Sequence, residues 1–121
     1  MAKQQPKQSL DYKNALGILL NRHLAGRGWS PAQLARASGV PKPTVWRMVQ
    51  IGERERPYHP QIKTIIAIAL ALRLSEEEFD ELFDAAYPGW LICRESIRKG
   101  RSVDDANEIL FDNGLPLLIN G

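Results

Sequence analysis

Between Ser30 and Gly52 the chain spells two short helices with a forced turn between them. Ser30 is a good N-cap, Pro31 suits the first helical position, and Gln33 stands where a capping box needs its third-position residue. The helix they start has room for little more than AQLARAS before Gly39, whose missing Cβ permits a tight turn. A second helix is expected from about Lys42 to Gln50, with Gly52 ending it. At ~100° per residue, Thr44, Val45 and Met48 fall on one side of it. Lys42, Pro43, Trp46, Arg47 and Gln50 fall on the other. An apolar inner face is thus paired with a polar, cationic outer face that carries one large aromatic.

The remaining pattern is helical almost throughout, and strand signals are nearly absent. A first helix is expected from about Asp11 to Ala25, with Leu16, Leu19, Leu20 and Leu24 on one broad face and Gly26-Arg27-Gly28 ending it. Trp29 follows as a plug for the core. After the charged loop Glu53–His59, a fourth helix from Pro60 to Leu72 is apolar nearly all round, so it must be central to the core or to an interface. Ser75 and Glu78 form a second capping box, opening a helix that turns Phe79, Leu82, Phe83 and Ala86 inward. Pro88-Gly89 breaks the chain. Two further helices are expected, from Trp90 to Lys99 and from Ser102 to Asn113-Gly114, before the apolar tail LPLLI.

Charge divides the chain. Residues 1–60 hold ten Lys/Arg and three acids, a net of +7, and residues 61–121 hold six and eleven, a net of −5. A basic half joined to an acidic half is expected where one end meets a polyanion. No apolar run reaches the ~18 residues of a membrane span, and the polar start MAKQQPKQSL lacks the apolar core of a signal peptide. A cytoplasmic, nucleoid-associated location is the expectation. The single Cys93 excludes an internal disulfide and a multi-thiolate metal site, and it reads as a packed thiol. His23 and His59 have no partners nearby in sequence to make a metal site. No nucleophile–base pair and no phosphate-cradling glycine loop is visible, so no catalysis, cofactor or metal is expected.

The stretch SPAQLARASGVPKPTVWRMVQIGERERP, followed by PQIKTIIAIALALRLSEEEFDEL, resembles the Cro- and phage-repressor-type (Xre-like) helix-turn-helix family. The similarity covers about residues 11–87 and rests on Leu34-Ala35, Gly39-Val40, Val45, Met48 and the fifth-helix pattern. It implies an all-α fold: a five-helix repressor-type bundle whose third helix enters the major groove of double-stranded DNA. Carried over by position, the base-reading residues are Lys42, Pro43, Trp46 and Arg47, and the phosphate-binding residues are Gln50, Arg54 and Arg56. Arg47 is the best base reader, because a guanidinium bonds guanine O6 and N7 together. The chain departs from the family's pattern in three ways. Val49 stands where many members have an acid. The spacing to Gly52 is one residue longer than usual. Pro31, Pro41 and Pro43 remove amide donors near the helix starts.

Residues 1–10 then read as a flexible arm, 11–87 as the DNA-binding domain and 88–121 as a helical extension too short to fold alone. Operators in this family are usually inverted repeats read by two-fold dimers. The extension is therefore expected to build a homodimer interface from Trp90, Ile97, Ile109, Leu110, Leu115, Leu117, Leu118 and Ile119. The alternative is that these residues only cap the core. A reading from a different class is a protein-interaction module or antitoxin, in which the acidic C-terminal half binds a protein partner.

Overall fold

Four leucines decide where the first helix lies. Leu16, Leu19, Leu20 and Leu24 all turn inward and are buried together. The structure, a computed structural model, describes residues 12–52 and 58–119. Among them a short 3-10 turn, Tyr12–Asn14, leads into seven α-helices. These are α1 (Ala15–Arg27), α2 (Pro31–Ser38), α3 (Lys42–Val49), α4 (Ile62–Leu72), α5 (Glu76–Ala86), α6 (Trp90–Arg98) and α7 (Val103–Asp112). The chain is all-α, as the periodicity implied. No helix among the described residues is long and apolar enough to cross a membrane.

The helix ends follow local chemistry. Gly28 and Gly39 adopt left-handed backbone and close α1 and α2. Ser30 accepts from the Gln33 amide while the Gln33 side chain accepts from the Ser30 amide, and Ser75 and Glu78 do the same at α5. The reciprocal bond holds the Glu78 carboxyl below its ordinary range. Ser102 caps α7 from one side only, accepting from the Asp105 amide.

The core is made where α1, α2, α3, α4 and α5 meet. Leu34, Val45, Met48, Ile65, Ile68, Leu72 and Leu82 are essentially sealed from solvent, and Trp29 packs against them. Phe79 and Phe83 are only half-buried, short of the full burial expected from their spacing. They form the edge of an aromatic row that continues through Tyr87 and Trp90. Arg27 ties the ends of two helices together, its Nη2 donating to the Leu72 carbonyl at 2.8 Å.

The C-terminal helices are joined to this core at one corner. Trp90 meets Phe83 edge-on, with ring centroids 5.0 Å apart. Gly89 takes φ +100°, and a Cβ there would meet Leu110 Cδ2 at 2.7 Å, so α7 packs directly onto the backbone that starts α6. Asp84 on α5 accepts from the Leu91 amide at 2.9 Å, and Arg94 on α6 reaches Asp80 at 2.8 Å. Burial pushes up the half-buried Cys93 thiol, with the Asp84 charge adding to it, so the residue is held away from the reactive thiolate form.

Asp84 yields a pH test. Burial pushes its carboxyl up, against the lowering effect of the Leu91 and Gly89 amides. A carboxyl raised in the folded state binds its proton more readily there than in the unfolded chain. Stability therefore falls as pH climbs from the unfolded carboxylate value through the folded one. Asp84→Asn keeps an oxygen for the Leu91 amide and is expected to remove that part of the pH dependence. Denaturant midpoints across the acid range measure it, and an unchanged profile would rule Asp84 out as the source.

Candidate nucleic-acid interface

The outer face of α3 is built by burying its inner one. Val45, Met48 and Val49 are 0%, 1% and 7% exposed, and they fix the helix's rotation about its own axis. Val49, which stands where the resemblance often places an acid, is part of the core. With those three inward, Lys42, Pro43, Trp46 and Arg47 all lie at the surface, and Trp46 is 53% exposed. Gln50, the residue after the helix, is also exposed. Arg54 and Arg56 lie outside the described residues.

The start of α3 is electropositive for a local reason. Its N-cap is Pro41, which offers no side-chain acceptor, and its first turn has no acid. Lys42 therefore adds its charge to the positive end of the helix dipole. The start of α2 has less to offer an anion. Pro31 has no amide proton, and the Gln33 amide is taken by Ser30.

The far end of α3 departs from expectation. Gly52 does not close the helix. The helix stops at Val49, and Gln50 turns to extended backbone. The closing groups come from α1 instead. Asn21 Nδ2 donates to the Val49 carbonyl at 2.9 Å and to the Gly17 carbonyl at 2.8 Å. This satisfies one of the carbonyls that a helix end leaves without a partner. The Gly52 amide donates to Asn14 Oδ1 at 3.1 Å. Gly17 lets the two elements come this close, because a Cβ there would lie 2.7 Å from the Gln50 carbonyl oxygen and 3.2 Å from that of Val49.

Arg47 has a support that the sequence pattern did not reveal. Its guanidinium carbon lies 5.6 Å from the centre of the Tyr58 ring, within cation–π range. Tyr58 is half-buried against the core. The residues that follow it are pinned to the end of α5. The His59 ring stacks on Tyr87 at 5.6 Å, its Nδ1 lies 2.9 Å from the Ala86 carbonyl, and the Tyr87 hydroxyl donates to the Pro60 carbonyl. Since a carbonyl can only accept, His59 Nδ1 carries the proton in this contact.

Together these residues shape an open cleft of about 650 Å³ beside α3. Pro43, Trp46, Arg47 and Gln50 form its α3 side, and Pro31 and Asn21 reach it from α2 and α1. One guanidinium, an exposed indole and the side-chain amides of Asn21 and Gln50 give it groups suited to hydrogen bonding and stacking. Of the residues expected at an interface between copies, Ile97, Leu117, Leu118 and Ile119 are exposed. Trp90, Ile109 and Leu115 are half-buried within the chain. Leu110 is 1% exposed, sealed inside its own chain, because α7 packs on Gly89.

Comparison of the chain with protein-family models, with curated proteins and with solved structures returns no match.

Two measurements test this geometry. Gly17→Ala forces a methyl against backbone oxygens, so it is expected to destabilise the fold by about 1–3 kcal/mol, despite the better helix propensity of alanine. Gly26→Ala meets nothing within 4 Å and should stabilise by roughly 0.5–1 kcal/mol. Denaturant unfolding of the two variants compares them, and equal shifts would refute the close approach. For Arg47, loss of the Tyr58 ring in Tyr58→Leu should loosen the guanidinium, read as faster side-chain motion by nuclear magnetic relaxation, whereas Tyr58→Phe should leave it unchanged. Equal mobility in both variants would exclude the ring as its support.

Proposed function

We propose that this chain is a sequence-specific regulator of transcription that binds double-stranded DNA with α2 and α3 as a helix-turn-helix. In this reading α1 to α5 are the five-helix bundle of the Cro- and phage-repressor-type family, and α3 lies in the major groove. The observation that carries it is the two-sided build of α3. Its inner face is locked by Val45, Met48 and Val49, while Lys42, Trp46 and Arg47 face outward around an electropositive helix start. The +7 charge of residues 1–60 supports a polyanionic partner.

Arg47 reads a guanine edge, and Lys42 serves a second base or a phosphate. Trp46 and Pro43 pack on base edges, a thymine methyl being the natural apolar target. Gln50, Arg54 and Arg56 hold the backbone. One copy makes too few contacts for tight specific binding, so two copies act on an inverted repeat, with repression as the simplest outcome. The site of action is the cytoplasm, on the nucleoid, and no enzymatic step, cofactor or metal enters the reading.

A second reading is favoured by the exposed Leu117, Leu118 and Ile119 beside the acids of α7. There the acidic half binds a partner protein, as in an interaction module or an antitoxin.

Selection of bound DNA from a random pool, followed by titration at several salt concentrations, tests the first reading. A defined inverted-repeat motif is expected, with affinity falling steeply as salt rises. Arg47→Ala should relax preference at one base pair in each half-site and cost about 1–3 kcal/mol there. Lys42→Ala, if it loses a phosphate contact, should lower the salt slope by about 1. DNA binding that is weak, flat in salt and indifferent to sequence would overturn the proposal in favour of the protein-partner reading.

A further inference from the structure

The face of α4 that points away from the core is as apolar as the face that builds it. Ile65, Ile68, Ala69 and Leu72 are buried, yet Ile62, Ile66 and Leu70 are 54%, 43% and 73% exposed. These three follow one another at four-residue intervals, so they form a single stripe along the helix. The helix carries no acid, and its own charges are Lys63 in its first turn and Arg73 at its C-cap, both exposed.

The C-terminal segment presents the opposite combination. The Leu115 amide donates to the Leu110 carbonyl at 2.9 Å, and the Leu118 amide donates to Asn107 Oδ1 at 2.8 Å. The tail thus turns back along α7, leaving Leu118 50% and Ile119 67% exposed. The helix it runs along has Asp104, Asp105, Glu108 and Asp112 and no basic residue.

We propose that a second copy of this chain seats its acid-rimmed tail and α7 surface on the base-rimmed stripe of α4. Two copies of α4 laid against each other would bring Lys63 and Arg73 among their own kind with no acid on either helix, so the stripe does not fit itself. The tail surface supplies both the apolar side chains and the missing negative charge. In a two-fold pair the contact is made twice, each copy giving a tail and receiving one. That doubling matters, because a stable interface buries about 800 Å² per partner, more than one stripe of three aliphatic side chains provides. The inference deepens the two-copy reading given above and does not depend on the DNA contacts of α3.

Charge reversal on the full chain tests it. The variants are Lys63→Glu with Arg73→Glu, Asp104→Lys with Glu108→Lys, and all four together, each checked for unchanged helical content. Sedimentation across a concentration series should show a dimer for the parent chain. Each pair of substitutions alone should weaken dimerisation by about tenfold or more, and the combination should recover it. A monomeric parent, a dimer indifferent to either pair, a failure of the combination to recover, or assembly that grows beyond two copies would each overturn the proposal. Binding to a single half-site, measured alongside, separates the two readings. A dimer that behaves as stated but ignores DNA leaves this inference standing and removes the DNA reading.

Discussion

Most of what the surface of α3 can do depends on one absent methyl group. At Gly17 the backbone of α1 lies so close to the end of α3 that a Cβ would stand 2.7 Å from the Gln50 carbonyl oxygen. That proximity lets Asn21 reach the Val49 carbonyl and Asn14 reach the Gly52 amide. The end of α3 is therefore defined by a neighbouring helix and not by a cap of its own. An eight-residue helix has little stability in isolation. Its position is a property of the bundle: α1 sets where it ends, and the burial of Val45, Met48 and Val49 turns Trp46 and Arg47 outward.

The parts of the fold legible in the sequence are those governed by chemistry within a few residues. The capping boxes at Ser30 and Ser75 involve partners three residues apart, and the left-handed glycines at 28 and 39 satisfy carbonyls in their own last turn. The leucine face of α1 follows from periodicity alone. The same local rule makes Gly52 a helix terminator, and there the rule fails. The carbonyl it would have served was already satisfied by Asn21, 28 residues away. The only local hint was a glycine and an asparagine four apart on a helix otherwise rich in leucine and alanine.

The same division holds for the candidate site and for α4. Which residues of α3 face outward was legible, because Val45 and Met48 on its inner face are enough to fix the rotation; the burial of Val49 beside them was not. The Tyr58 ring beneath Arg47 was not legible, because Tyr58 is placed by His59 and Pro60, whose partners Ala86 and Tyr87 lie 27 residues on. Hydropathy marked α4 as central to a core or to an interface without saying which face served which. Its inward residues are core, and Ile62, Ile66 and Leu70 remain at the surface. Leu110 shows the reverse: an apolar residue in a terminal extension, read as interface, is sealed within its own chain by the backbone at Gly89.

The α3 surface is thus held from two directions that share no residue. Asn14, Gly17 and Asn21 fix where the helix ends, and Tyr58 fixes where one guanidinium rests. The second support passes through His59 and Pro60 to the last turn of α5, and the first passes through α1. Both helices meet in the leucine core, so a perturbation there reaches the cleft by two routes. The C-terminal helices touch the same last turn of α5 through Trp90 and Phe83. The extension and the Tyr58 support of Arg47 thus meet the core at the same last turn of α5.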